Sequence, residues 1–270
     1  MVALQIISDL HLENPKAYDI FEITPKAPYL ALLGDIGYLV RHEADYLGFL
    51  KRQLTKFRAV FLVLGNHEPW HSTWDDCLQT TRRWERELHQ EGDKQTGLGQ
   101  FVVLNRDRYD IERASGDAVI VLGCTLFSHV PSEAAEAVSF GVNDFYHTVG
   151  WDLKQYNAAF ERDLAWLNAE VTALRGAGRT VVVLTHYSPT LDERAADPRH
   201  RTSAIGSGFA TDLSAAACWR SSDVKLWAFG HTHFNCDFVD EETGKRVVAN
   251  QRGYYFAQSE GFIGDKVVEI

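Results

Sequence analysis

Six short apolar runs are spread along the chain, and each has the length of one β-strand. They are rich in β-branched and aromatic residues and hold few polar positions, which is typical of strands that are buried on both faces. The runs cover residues 2–7, 29–33, 60–64, 118–122, 180–184 and 225–229. Between them, apolar positions recur at helical spacing and predict helices at residues 43–57, 72–90 and 151–174. The alternation of strands and helices predicts an α/β sandwich.

The last part of the chain has a different pattern. Residues 236–239, 246–250 and 266–270 predict short strands, with a turn at 242–244. These strands imply either a second sheet or an antiparallel extension of the first. Residues 91–99 and 195–208 are rich in glycine, serine and charge, and we interpret them as loops on one domain. A single domain over residues 1–270 is therefore predicted.

Composition and charge narrow the class of protein. Hydrophobic residues make up 45% of the 270 residues, enough for a sizeable core. The net charge of −10 argues against a nucleic-acid partner and against an anionic membrane. The four cysteines form no C-x-x-C pair and favour free thiols in a reducing compartment. The first residues lack the basic region of a signal peptide, and no apolar stretch approaches the length of a membrane span. These features predict a cytoplasmic protein, and none of them indicates an oligomeric state.

Polar residues that can bind metals follow five of the six apolar runs. In chain order they are Asp9, His11, Asp35, Asn66, His67, His186, His231 and His233. The carboxyl edge of an open α/β sheet is where ligands bind, so we expect these side chains to meet there. A hydrogen bond in a turn would explain any one of these histidines. It does not explain the set, because imidazoles and carboxylates that converge in a cleft are costly unless a cation lies among them.

The donor types indicate which cations would fit. The set contains no thiolate, which excludes a structural zinc site, and mixed imidazole and carboxylate donors suit Mn, Fe, Zn, Co or Ni. The donors are too many for one ion with an open position, whereas two ions that share a carboxylate would use them all. Two-metal sites hold their ions about 3.5–4 Å apart and stabilise the attacking and leaving oxygens of an in-line displacement, which indicates phosphoester chemistry.

The order of these residues resembles a known family, the calcineurin-like metallophosphoesterases. The resemblance runs from Asp9 to His233 and rests on five motifs that each follow a strand. They are D-x-H at 9–11, G-D at 34–35, G-N-H-E at 65–68, a lone histidine at 186 and G-H-x-H at 230–233. The family fold is a four-layer α/β/β/α sandwich with the site at one edge of the paired sheets, and we expect that fold here.

The resemblance also implies a role for each residue. The first metal would be held by Asp9, His11 and His233, the second by Asn66, His186 and His231, and Asp35 would bridge both. His67 would bind no metal and would face the leaving oxygen as a general acid. The implied reaction is hydrolysis of a phosphomonoester or phosphodiester of a small molecule by a hydroxide that bridges the metals.

One position departs from the family pattern. Many members carry an acid three residues after the bridging aspartate, and this chain has Tyr38 there. Purple acid phosphatases place an iron-binding tyrosine at this spacing, but they lack the histidine of D-x-H. Because His11 fills that coordination position, we interpret Tyr38 as a residue that packs beside the site.

Other residues and other functions stay open at this point. Weaker candidates for the cleft are Ser128, His129, Arg199, His200 and Arg201, and residues 143–145 would shape its wall. The same donors would also serve a dimetal hydrolase or lyase that acts on a non-phosphate metabolite. A non-catalytic metal-binding scaffold is the other alternative, and the presence of all eight motif residues disfavours it.

Overall fold

Two β-sheets stack face to face at the centre of the protein, and helices cover their outer faces. The computed structural model describes residues 1–92, 97–113, 116–176 and 178–270. Part of the predicted loop at 91–99 falls on residues 93–96 and so lies outside the described residues.

The described residues form thirteen β-strands and six α-helices. The strands are β1 Ala3–Ile7, β2 Tyr29–Leu33, β3 Ala59–Val63, β4 Gln100–Val103, β5 Asp107–Glu112, β6 Ala118–Cys124, β7 Thr180–Thr185, β8 Val224–Phe229, β9 Cys236–Val239, β10 Arg246–Ala249, β11 Gly253–Tyr254, β12 Ala257–Gln258 and β13 Val267–Glu269. The helices are α1 Glu43–Leu54, α2 Trp74–Gly92, α3 Ala135–Gly141, α4 Asp144–His147, α5 Leu153–Leu174 and α6 Ala217–Arg220.

Both large sheets are mainly parallel, so their strand ends collect at one edge. The first sheet has the order β13-β1-β2-β3-β4, in which β1 to β4 are parallel and β13 is antiparallel to β1. The second has the order β5-β6-β7-β8-β10-β9, in which β5 and β9 are antiparallel edge strands. β11 and β12 form a separate two-stranded hairpin.

The apolar strands supply three layers of core because successive side chains point to opposite faces. Phe61 and Leu33 of the first sheet pack with Val121 and Leu184 of the second in the layer between the sheets. The opposite faces are covered by helices. Leu32 and Leu62 belong to one outer core with residues of α1 and α2, and Val183 and Trp227 belong to the other with residues of α5. The predicted four-layer α/β/β/α sandwich is therefore confirmed.

The predicted strands and helices are present, with small shifts at their ends. All six apolar runs form strands, and the three predicted helices correspond to α1, α2 and α5. The helix α5 starts at Leu153 because Asp152 and Gln155 form a capping box that satisfies free backbone N–H groups. Both alternatives for the last strands occur, since β9 and β10 extend the second sheet whereas β13 joins the first.

Two edge strands, β4 and β5, were not predicted from the pattern. β5 has the sequence Asp-Arg-Tyr-Asp-Ile-Glu, and Ile111 is its one buried residue. A strand at the edge of a sheet needs few apolar residues, so periodicity gives it little signal. None of the helices in the described parts of the chain has the length and apolar character needed to cross a bilayer.

Phe61 offers a test of the layer between the sheets, since its side chain is fully buried beside Tyr29 and Tyr109. Phe61→Ala should lower the free energy of unfolding by about 3–5 kcal/mol, because it removes apolar contacts and leaves a cavity. Urea denaturation followed by circular dichroism measures the change. Phe140→Ala is the control, since Phe140 is 73% exposed and its loss should matter little. Similar changes in the two variants would contradict this description of the core.

Candidate metal centre

Five loops that follow parallel strands meet at the carboxyl edge of the two sheets. Three of them follow β1, β2 and β3, and two follow β7 and β8. The structure brings together all eight residues that the sequence singled out there. Seven are buried, namely Asp9, His11, Asp35, Asn66, His67, His186 and His231, and the side chain of His233 is 24% exposed.

The backbone of these loops adopts a left-handed conformation that residues other than glycine rarely adopt. Residues with a positive φ include Asp9 at 53°, His11 at 47°, Asp35 at 52°, His231 at 70° and His233 at 51°. Such left-handed conformations cost free energy for residues other than glycine and concentrate at functional sites. Their presence at five of the eight positions indicates a geometry that was selected for function.

Glycines allow the loops to approach each other closely. A Cβ added at Gly65 would overlap Asp35 Oδ1, and one added at Gly230 would overlap Ser8 Oγ. The G-N-H-E and G-H-x-H motifs therefore begin with glycine because a side chain at either position would displace a carboxylate or its hydrogen-bond partner.

Glu68 holds the loops after β2 and β3 in register. Its carboxylate accepts hydrogen bonds from the backbone N–H groups of Asp35 at 3.0 Å, Ile36 at 2.8 Å and Gly65 at 2.7 Å. The hydroxyl of Tyr46 donates a fourth at 3.0 Å. Burial raises the pKa of Glu68 to about 7 although these four donors act against the rise.

One group of donors contains Asp9, His11 and His233. The Nε2 atoms of His11 and His233 lie 3.0 Å apart, and His233 Nε2 is 3.3 Å from Asp9 Oδ1. Asp9 also accepts hydrogen bonds from the Ser8 hydroxyl at 2.6 Å and from the backbone N–H of His231. Burial alone would raise the pKa of Asp9, but the hydrogen bond and charge of His233 lower it below its ordinary value.

A second group contains Asp35, His186 and His231, with Asn66 beside them. His186 Nε2 is 2.9 Å from Asn66 Oδ1 and 3.5 Å from Asp35 Oδ1. The side chain of Asn66 is oriented by Asp144, which accepts a hydrogen bond from the Asn66 amide at 2.8 Å.

Lone pairs face one another in this second group. His186 Nδ1 donates to the carbonyl of Leu33 at 2.7 Å, so in the neutral ring Nε2 has no proton and faces the oxygen of Asn66. A proton on Nε2 is disfavoured because burial lowers the pKa of His186 to about 4. The Nε2 atom of His231 is also buried, with no hydrogen-bond partner. Atoms with inward lone pairs and no donor between them fit a bound cation.

Asp35 lies between the two groups. Its Oδ1 faces His186, and its Oδ2 is 3.9 Å from the Nε2 atoms of both His11 and His67. Burial raises the pKa of Asp35 well above its ordinary value, and the neighbouring carboxylates of Glu68 and Asp9 raise it further. A carboxylate in this position can contact both groups of donors.

His67 faces the same space but has different partners. Its backbone N–H donates to Asp35 Oδ1 at 2.8 Å, and its ring stacks on Trp70 with centroids 3.6 Å apart. Its Nδ1 lies 3.0 Å from Glu13 Oε1, and Nε2 is the ring nitrogen that faces Asp35.

The sequence analysis did not foresee the contacts of two residues near the site. Glu13 contacts the Nδ1 atoms of both His11 and His67, and its only signal in the sequence is its place two residues after His11. Asp144 was predicted only to shape the cleft wall, but its carboxylate accepts hydrogen bonds from Asn66, Trp70 and Tyr187. No local pattern connects residues this far apart in the chain.

The ring of Tyr38 lies near Trp70 and His71, at centroid distances of 5.9 Å and 5.0 Å. His129 is exposed near Phe160, and Ser128 is buried. The loop arginines pair with acids of their own loop, Arg199 with Asp197 and Arg201 with Glu193, and His200 is exposed.

A family model described as calcineurin-like phosphoesterase matches residues 4–235, so the chain belongs to that family. Among solved structures, the fold is similar to phosphopantetheinyl hydrolase (PptH) from Mycobacterium tuberculosis, with a TM-score of 0.66 and 17% identity over 93% of this chain and 89% of that one. It is also similar to a dimetal phosphatase from Danio rerio, with a TM-score of 0.50 and 17% identity over 93% of this chain and 87% of that one. A search of curated proteins finds no match. Family membership, together with donor clusters that could hold metal, supports a hydrolase.

The role of Glu68 can be tested by Glu68→Gln. The change turns one acceptor oxygen into an NH2 group that faces backbone donors, so a buried N–H loses its partner. We expect the free energy of unfolding to fall by about 1–3 kcal/mol. Urea denaturation at pH 8 measures it, with Glu43→Gln as the control because the side chain of Glu43 is 43% exposed. An equally small change in both variants would show that Glu68 does not hold the two loops.

Proposed function

We propose that this protein is a dinuclear-metal phosphoesterase that hydrolyses a phosphomonoester or phosphodiester of a small molecule. The observation that carries the proposal is the pair of donor groups around Asp35, whose oxygens face His186 on one side and His11 on the other. The family membership supports the same chemistry.

The donor set fits two ions. Asp9, His11 and His233 would hold the first ion, Asn66, His186 and His231 would hold the second, and Asp35 would contact both. Support comes from the unpartnered Nε2 of His231 and from the opposed lone pairs of His186 and Asn66. Imidazole, amide and carboxylate donors suit Mn, Fe, Zn, Co or Ni.

The protein's own groups would orient the ester and supply a proton. When bound, the ions would supply Lewis acidity, which lowers the pKa of a water and offsets charge on the phosphoryl oxygens. His67 is held by its backbone bond to Asp35 and by its stacking on Trp70, and its Nε2 is turned toward Asp35. From that position a protonated Nε2 would donate to the departing oxygen of the ester.

Net charge and cysteine content bear on the substrate and on the compartment of the protein. A net charge of −10 favours a small-molecule ester over a nucleic acid. The four cysteines, Cys77, Cys124, Cys218 and Cys236, are unpaired, which a reducing compartment such as the cytoplasm would maintain.

Metal content and the role of Asp35 are tested together. Protein purified without chelator should contain about two transition-metal ions per chain by elemental analysis. Asp35→Asn should keep the fold but lose metal and activity, because a neutral amide binds a cation less well than a carboxylate that serves two ions. Tyr38→Phe is the control and should keep both ions. A stoichiometry of one or none that added Mn does not change would contradict the dinuclear site, and metal loss in Tyr38→Phe would make Tyr38 a ligand.

The role of His67 is tested by the leaving group. His67→Ala should keep both ions and lower the turnover of an alkyl phosphate by about 10²–10⁴-fold, since a poor leaving group needs the proton. The loss should be smaller for a nitrophenyl phosphate, which departs without one. A panel of monoesters, diesters and non-phosphate esters with the wild-type protein identifies the substrate class. Equal losses on both phosphates would argue that His67 only orients the substrate. Turnover of non-phosphate esters alone would favour the alternative function, a dimetal hydrolase that acts on a non-phosphate metabolite.

A further inference from the structure

Glu13 joins two histidines that have different proposed roles. Its side chain is 3% exposed, and it lies in the loop after β1, two residues beyond His11. One oxygen, Oε1, is 3.1 Å from His11 Nδ1 and 3.0 Å from His67 Nδ1. The two rings lie edge to face with centroids 4.5 Å apart. One carboxylate oxygen can therefore accept a hydrogen bond from each ring.

These contacts determine which nitrogen of each ring faces the cleft. An ionised carboxylate only accepts hydrogen bonds, so both Nδ1 atoms carry their protons. In each neutral ring the lone pair is then on Nε2. The Nε2 of His11 points to His233, and the Nε2 of His67 points to Asp35. A histidine that binds a metal commonly donates its other N–H to a carboxylate in this way.

The carboxylate beside His67 comes from Glu13 and not from position 38. Many family members have an acid at that position, whereas the ring of Tyr38 lies parallel to that of His67 at 6.4 Å and contributes no carboxylate. At Nδ1 of His67 the carboxylate comes from Glu13, 54 residues away along the chain.

We propose that Glu13 is a positioning residue that sets the Nδ1–H tautomer of both His11 and His67. It thereby presents the Nε2 lone pair of His11 to the first metal and leaves Nε2 of His67 as the nitrogen that takes up the proton for the substrate's leaving oxygen. The second part rests on the proposed function. Because both rings depend on one oxygen, loss of Glu13 should disturb the metal ligand and the proton donor together.

Glu13 could instead bind an ion itself, since its carboxylate and nitrogens of His11 and His67 lie within 4.8 Å of one another. The hydrogen-bond distances to both Nδ1 atoms favour the positioning role. The metal content of Glu13→Gln separates the two: an amide oxygen still accepts from both rings, so the variant should keep about two ions per chain. Loss of a whole ion while both Nδ1–H tautomers persist would make Glu13 a ligand and overturn the proposal.

The tautomers can be read without metal or substrate. Long-range ¹H–¹⁵N NMR of the metal-free protein at pH 8 should show His11 and His67 as Nδ1–H forms, with signals assigned from His11→Ala and His67→Ala. Glu13→Gln should preserve both forms, and Glu13→Ala should release His67 to the Nε2–H form that free imidazoles in water prefer. Glu22→Ala is the matched control, because the side chain of Glu22 is 63% exposed. An Nε2–H form in the wild-type protein, or no change in Glu13→Ala, would overturn the proposal.

Kinetics of the metal-loaded protein give the second measurement. Glu13→Ala should lower turnover of an alkyl phosphate by about 10–100-fold, with a smaller loss for a nitrophenyl phosphate. Adding Glu13→Ala to His67→Ala should not steepen this dependence on the leaving group, because both changes act through one ring. A steeper dependence in the double variant would count against positioning through His67. If the wild-type protein hydrolyses no phosphoester, the proposed function fails, while the NMR result still decides whether Glu13 sets the tautomers.

Discussion

The buried carboxylate of Glu68 is the interaction on which the geometry of the site depends. Backbone N–H groups of the loops after β2 and β3 both donate to it, so the two loops keep one relative position. An N–H group left without an acceptor in this buried region would cost about 1–3 kcal/mol. Because Asp35 is one of the residues held in this way, its two oxygens face the two donor groups in a defined direction.

The rigid core makes this strained edge possible. Five residues of the site have left-handed backbone conformations, each of which costs about 1–3 kcal/mol. They follow strands whose side chains are buried on both faces, between the sheets and under the helices. Burial of that much apolar surface offsets the strain, so the donors keep a fixed arrangement that a flexible loop would not maintain.

Neighbouring charges give the acids of the site different electrostatic properties. Burial would raise the pKa of both acids, but the hydrogen bond and charge of His233 lower that of Asp9, whereas Glu68 and Asp9 raise that of Asp35 further. Burial lowers the pKa values of the His11 and His186 imidazoles to about 4. The site therefore combines neutral nitrogen donors with acids that a cation would stabilise. Glu68 orients backbone there, and Glu13 orients two of the rings.

The sequence by itself determined the central strands, the three long helices and the polar residues at the strand ends. These features depend on periodicity and on order along the chain, which are local properties. The proximity of residues such as Asp9 and His186 could be predicted because parallel strands end at one edge of a sheet. Only the tertiary structure decided that the last strands divide between two sheets, and that β5 pairs at an edge with one buried residue. It also decided that Glu13 reaches His67 and that Asp144 reaches Asn66, 78 residues away. Such contacts depend on how loops from different strands pack, and no spacing along the chain encodes that.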